Sequence, residues 1–290
     1  MLYLLIVSLI WAFSFGLIKN TLAGVDANLI AVVRLWIAAL VFLPFLRLRG
    51  VPRRMSLRLA AAGAFQFGLM YLAYNYSFQY LKAYEVALFT IFTPIYVTLI
   101  DDALRRRLNS LHLATAVLAV IGTAIVKQGS LTDSGVIGGF LLVQISNLCF
   151  AFGQVYYVHV FKDTPQIGNR QIFALLYLGG ALVASLSAAV FTPWAQVSIT
   201  LTQGLTLLYL GSVASGVSFF LWNIGARRVD AGTLAIFNDL KIPLAVVVSL
   251  VFFGEQASLP NLLIGGLIVA AALVVNQFAL RWFVPRPSQA

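Results

Sequence analysis

Apolar residues run through this chain in long blocks separated by short polar breaks. Neither the alternation of a half-buried strand nor the one-sided stripe of a surface helix accounts for such blocks. A helix needs about 20 mostly apolar residues to cross about 30 Å of hydrocarbon. Blocks of that length recur at roughly 2–18, 28–46, 59–80, 83–100, 111–128, 135–158, 170–191, 204–224, 231–253 and 259–280. The pattern predicts an all-α integral membrane protein with ten transmembrane helices. The breaks are too short to hold a domain outside the membrane, so the lipid bilayer is the first partner. The opening Met1-Leu2-Tyr3-Leu4-Leu5 lacks a basic region and a small-residue cleavage site, and reads as a retained spanning helix.

Composition agrees: 61% of the 290 residues are hydrophobic and 10% charged, with a mean hydropathy of +0.95. Soluble chains are about half apolar and about a quarter charged, which excludes a soluble enzyme, a disordered linker and a secreted disulfide scaffold. The net charge of +10 would suit nucleic acid, but its basic residues cluster in the breaks, as in Arg53-Arg54 and Arg105-Arg106-Arg107. That distribution orients a membrane protein. With the N-terminus inside, fourteen Lys and Arg fall on the inner side and three on the outer. Both termini are therefore expected in the cytoplasm, in the cell (inner) membrane. Cys149 has no partner cysteine, and His112 and His159 lack acidic or thiol neighbours at ligand spacing, so no disulfide, metal or cofactor is expected. No phosphate-binding loop indicates ATP hydrolysis.

The segment Ala87–Leu99 aligns with Ile236–Val248 at an offset of 149, which places Pro94 on Pro243. Trp11-Ala12-Phe13-Ser14 echoes Phe150-Ala151-Phe152-Gly153 at 139, and Tyr74-Asn75 echoes Trp222-Asn223 at 148. Three echoes in one order predict that spans one to five (residues 1–129) repeat as spans six to ten (133–290). Five is odd, so the second copy enters the membrane from the opposite side. Inverted repeats of this kind build secondary transporters whose site lies near the midplane, at the repeat interface.

These features resemble the EamA-type branch of the drug/metabolite transporter superfamily. The resembling pieces are Leu9-Ile10-Trp11-Ala12-Phe13-Ser14, Arg34-Leu35-Trp36-Ile37-Ala38-Ala39, and Pro243 followed by Gly254-Glu255. The likeness implies alternating access around a central cavity between spans one, three, four, six, eight and nine. It also implies a proline-to-glutamate spacing in both halves, from which the first half departs, since Arg106 stands twelve residues after Pro94. Many such proteins are exporters, so the likeness implies export of small metabolites such as amino acids or other carboxylates. Monomer and homodimer both stay open.

A charge at the bilayer centre costs from about 2.5 kcal/mol upwards, so a retained one is a functional candidate. At 1.5 Å per residue, Lys241 lies about 15 Å into the ninth span and Asp239 about 12 Å. Pro243 lacks an N–H and frees the carbonyl of Asp239, so backbone and side-chain polarity gather at one depth. Lys241 is expected to receive a substrate carboxylate, with Asp239 beside it. Asp239 and Glu85 are the candidates for carrying a coupled proton. Neutral groups at matching depth complete the expected site: Trp11, Ser14, Gln66, Tyr71, Thr90, Thr93, Asn147, Ser212, Ser215 and Asn238. Pro94 and Pro243 are expected to kink their helices. Arg34, about 9 Å from the outer side, reads as an anchor that snorkels to the interface and pairs with Asp26 or Glu85. Lys82 is expected to pair with Glu85, and Tyr74, Asn75, Tyr76 and Gln79 read as an interfacial belt.

Two other function classes fit less well. Asn238-Asp239 opens like the N-D-x-x-D of membrane prenyltransferases, but Ile242 stands where the second aspartate belongs. An enzyme is not expected. No filter loop or ring of like charges suggests a channel. Within the transporter class, the alternative is a multidrug or cationic-compound exporter with Asp239 or Glu85 as the counter-charge.

Overall fold

The computed structural model describes residues 2–104, 134–162, 167–229 and 231–257, with single positions between 260 and 274. Among these there is helix and no strand. Eight rods carry the fold: α1 (Leu2–Thr21), α2 (Ala27–Phe45), α3 (53–77), α4 (Ala83–Leu104), α5 (Ser134–Lys162), α6 (Asn169–Phe191), α7 (Leu201–Ala226) and α8 (Ala231–Phe252). The first four are the first four predicted spans, and α5 to α8 are the sixth to ninth. The predicted fifth span, 111–128, and nearly all of the tenth, 259–280, lie outside the described residues. Six helices (α1, α2 and α4 to α7) are long and apolar enough to cross a membrane by length and composition. This is a multi-pass membrane protein.

The predicted ends hold to within a few residues except in α3, which starts at Arg53, six residues before its apolar block. Pro52 precedes it as the N-cap in an extended conformation, where its missing N–H breaks no helical hydrogen bond. Arg53 and Arg54 are exposed while Met55 and Leu59 are buried. The first turns are therefore helical but amphipathic, and a search for continuous apolar sequence passes over them. Asp26 caps α2 by accepting the Leu29 N–H at 2.9 Å, and Thr200 with Gln203 forms a capping box at the start of α7.

Outward faces are apolar, with Leu182, Leu186, Val190, Leu205 and Leu208 exposed, as hydrocarbon requires. The interior is aromatic: Trp222, Tyr157, Tyr177, Phe67, Phe89 and Phe173 are fully buried. The principal contacts pair α1 with α8, α4 with α5, α3 with α5, α1 with α7, α3 with α6, α2 with α7, α2 with α6, and α4 with α8. Exchanging α1 with α5, α2 with α6, α3 with α7 and α4 with α8 carries this set onto itself.

Two of the local irregularities follow the same exchange. A π-helical turn interrupts α3 at Ala64–Leu69 and α7 at Leu210–Val217, and an offset of 148 carries the first into the second. Gly63 and Gly211 are related by that offset. A Cβ on Gly63 would overlap the Leu176 backbone of α6, and one on Gly211 would meet the Ile37 side chain of α2 at 2.7 Å. Ile37 and Leu176 are in turn related by 139, the offset of the Trp11 echo.

Candidate functional site

Pro94 decides the shape of α4. Without its N–H the carbonyl of Thr90, four residues back, loses its α-helical partner and accepts the Thr93 N–H of a tighter turn. The rod breaks there into a 3-10 turn, Thr90–Phe92, between Ala83–Phe89 and Thr93–Leu104. The acceptors at the break also take side-chain donors. Thr93 Oγ1 donates to the Thr90 carbonyl at 2.7 Å, and Asn147 Nδ2 of α5 donates to the Phe89 carbonyl at 2.8 Å. Thr93 Oγ1 also lies 3.2 Å from Asn147 Oδ1. Pro243 sits in α8 without interrupting it.

The π turn of α7 frees carbonyls in the same way. Trp11 Nε1 donates to the Ala214 carbonyl at 2.9 Å. Tyr177 Oη donates to the carbonyls of Ser215 and Gly216 at 2.8 and 2.7 Å. These bonds fix Trp11 against α7 and orient Ser215.

Between the broken α4 and the π-turned α3 and α7 lies a cavity lined mainly by apolar and aromatic side chains with a few convergent polar groups, the composition of a small-molecule site. α1 contributes Trp11, Ser14 and Phe15, and α3 contributes Met70, Tyr71 and Tyr74. Thr90 and Thr93 of α4 face Ser146, Asn147 and Phe150 of α5, and Phe219 of α7, Lys241 of α8 and Arg34 of α2 complete the wall.

Of the residues singled out in the sequence, the fold brings Trp11, Ser14, Tyr71, Thr90, Thr93, Asn147 and Lys241 to one cavity. Ser215 stands just behind the wall, 2.8 Å from Tyr71 Oη. Asn238 is buried one turn from Lys241 and accepts from its Nζ at 3.1 Å. The side chain of Asp239 lies outside the described residues. Gln66 is buried against Asn223 at 3.4 Å, and Ser212 bonds its own helix at the Leu208 carbonyl; neither lines the cavity.

Glu85 is placed elsewhere, at the start of α4, where Oε2 accepts the Lys82 backbone N–H at 2.9 Å and Oε1 accepts the Tyr84 hydroxyl at 3.2 Å. Glu255, from the loop after α8, completes that helix end. Its two oxygens accept the N–H groups of Ala83 at 2.9 Å and Tyr84 at 3.1 Å. Lys82 Nζ donates across the same junction to the Gln256 carbonyl at 2.8 Å.

Arg34 differs from its expected role as an anchor. It is 2% exposed, and its Nη2 donates to Tyr71 Oη at 2.9 Å and its Nε to Ser215 Oγ at 3.3 Å. Asp26 is instead occupied by the Leu29 N–H and by Thr192 Oγ1 at 2.7 Å. Depth along a helix gives no rotation, and Ser215 lies 181 positions away in the chain. Tyr74 likewise faces the cavity and not the interface.

The two cations stand at the ends of an aromatic strip. Lys241 Nζ lies 5.3 Å from the Trp11 ring centre and 6.0 Å from that of Phe150. Trp11 packs against Phe219 at 4.8 Å with the rings tilted by 50°, Phe219 meets Tyr71 edge-on at 6.1 Å, and the Arg34 guanidinium lies 4.3 Å from the Tyr71 ring centre.

The chain matches the EamA-like transporter family over residues 1–127 and again over 137–277. It is 40% identical to a protein of Pseudomonas aeruginosa named as a probable biotin transporter, over 97% of this chain and 99% of that one. It is 39% identical to a biotin transporter of Salmonella typhimurium, over 100% of this chain and 96% of the relative. Identity falls to 24% with a probable amino-acid metabolite efflux pump of Escherichia coli, over 96% of this chain and 94% of the pump. A solved crystal structure covering 97% of this chain and 98% of its own superposes with a TM-score of 0.70 at 19% identity, which shows a shared fold.

Proposed function

The chain belongs to the EamA-like transporter family, and on that premise we propose that it carries biotin across the membrane by alternating access around the cavity just described. The observation that carries this reading is the charge of that cavity. Its described charged groups, Arg34 and Lys241, are both cations, buried and separated by a strip of rings. Biotin is built to match: a carboxylate on an apolar tail, then a fused ring with a flat ureido edge. The carboxylate answers the positive charge, the tail and ring answer the aromatic strip, and the ureido group answers the hydroxyls and amides around Thr93 and Asn147. Relatives of 39–40% identity over nearly their full length carry the same substrate in their names, whereas the amino-acid efflux relative stands at 24%. Of the two counter-charges proposed for a cationic substrate, Glu85 is held at the start of α4 and not in the wall.

The architecture in this reading is ten helices in two inverted five-helix halves, 1–129 and 133–290. Its support is the exchange symmetry of the contacts, the paired π turns, the paired glycines and the two separate family matches. Both termini then face the cytoplasm, as the basic residues favour, with Asp239 and Glu85 as the carboxylates through which protons could couple.

Reconstituted protein loaded with buffer should take up labelled biotin with saturation, and unlabelled biotin should compete where leucine or an organic cation of similar size does not. Uptake indistinguishable from protein-free liposomes, with and without an imposed proton gradient, removes biotin as the substrate.

A further inference from the structure

We infer that the carboxylate of the transported acid docks on the unpartnered, buried edge of the Arg34 guanidinium, beside the Tyr71 hydroxyl, and not on Lys241. This rests on the reading above that the cavity takes a carboxylate of biotin's kind, and adds which end of the cavity holds the charge.

Arg34 has three nitrogens, and the structure uses two. Nε donates to Ser215 Oγ and Nη2 to Tyr71 Oη, while Nη1 is buried without a hydrogen-bond partner. Arg34 lines the cavity, and no salt bridge to a described carboxylate accounts for its charge. A buried guanidinium with an unmet donor is costly to leave so, because the lost hydration is not replaced. Nothing apolar explains why this helix keeps it. An anion that accepts from Nη1 would satisfy it.

The neighbours prepare that role. Tyr71 and Ser215 hold the guanidinium in one orientation, and their rings and chains come from α3 and α7. Tyr71 Oη lies 2.8 Å from Ser215 Oγ, with either as donor. If Ser215 donates to Tyr71, the tyrosine proton is released to point at the carboxylate. The anion would then accept from Nη1 and from Tyr71 Oη, a planar, charge-assisted recognition that an ammonium cannot supply. Lys241 is differently placed. It donates to Asn238 Oδ1 and faces two rings, Trp11 and Phe150. That end of the strip suits the ring of the substrate.

The test compares biotin with its neutral primary amide, measured as binding of tritiated biotin to the full-length protein in nanodiscs and its displacement by each compound. Wild type should prefer the acid by about 10- to 100-fold, the worth of one or two hydrogen bonds to a charged group. Arg34→Gln should remove most of that preference and leave the affinity for the amide within about twofold. Lys241→Gln should lower the preference less, through the weaker pull of a more distant charge. If Arg34→Gln does not fold, Arg34→Lys replaces it. Its shorter ammonium is retained by Tyr71 and Ser215, and the same loss of preference is expected. A preference that survives at Arg34, or falls as much or more in Lys241→Gln, overturns the assignment. Absence of binding by either compound to wild type would instead remove the biotin reading on which it stands.

Discussion

Adding one methyl group at position 63 will separate two helices. In Gly63→Ala the new Cβ would overlap the carbonyl carbon, oxygen and Cα of Leu176, all of them backbone, so no rotamer change relieves the clash. The reverse side of the same contact is equally tight, since a Cβ on Gly179 would overlap the Ala60 carbonyl, and one on Gly180 would reach 2.8 Å from Phe67 Cβ. Close approach through small residues is how helices attract in lipid, where no hydrophobic effect drives them together. Overpacking costs about 1–3 kcal/mol and more where backbone must move. At about 2–4 °C per kcal/mol, Gly63→Ala should lower the melting temperature by about 10 °C. Gly63→Ala combined with Gly179→Ala should yield no monodisperse protein by size-exclusion chromatography. Gly138→Ala is the control. Its Cβ meets nothing within 4 Å, and helix propensity alone predicts a neutral or slightly stabilising change of about 0.5–1 kcal/mol. Equal melting curves for Gly63→Ala and wild type would show that α3 and α6 are not held this closely.

The glycines illustrate what the sequence discloses and what it withholds. Apolar block length locates the rods, because hydrocarbon imposes one requirement on every spanning helix. The exception, the start of α3, is where that requirement stops applying and arginines return. The internal echoes of Trp11, Tyr74 and Pro94 anticipate the exchange symmetry, since equivalent positions keep similar side chains. Lys241 is legible as a cavity residue because its depth is unusual for a charge. Arg34 is not, although it stands in the same wall. Its role depends on which way α2 turns and on Tyr71 and Ser215, both far off in the chain, and neither quantity has a local signature. The π turns are invisible for the same reason. Ala64–Leu69 carries one poor helix former, Gly68, but such a residue fits an unbroken membrane helix equally well, and only the backbone hydrogen bonding shows that an extra residue has been taken into the turn.

Replacing Glu255 by alanine should open the end of the bundle where α4 begins. The Glu255 carboxylate accepts two backbone N–H groups at a helix N-terminus, where the helix dipole adds to the attraction for negative charge. Gly254 makes this reach possible: its φ of +64° turns the chain back at the end of α8, a conformation that a side chain disfavours. Lys82 reinforces the junction through the Gln256 carbonyl. α4 and α8 thus meet at one end while their middles line the cavity through Thr90, Thr93 and Lys241. In alternating access, such a junction must part once per cycle, and its strength sets how much time the carrier spends closed there. Hydrogen bonds to a charged group contribute about 1.5–3 kcal/mol, so Glu255→Ala should raise the open population by about 10- to 100-fold. A reporter can be built on the single native cysteine, Cys149, by removing it in Cys149→Ser and adding Ser14→Cys in the cavity wall. A membrane-impermeant maleimide supplied from that side should then label Glu255→Ala faster by a factor of that size. Net uptake should fall in parallel, because a carrier resting open to one side returns slowly to the other. Glu255→Gln keeps two oxygen- and nitrogen-bearing arms but only one acceptor, and should fall between the two. Labelling and uptake that both match wild type would mean that the junction of Glu255 with α4 stays closed throughout the cycle, and that the cavity opens by another route.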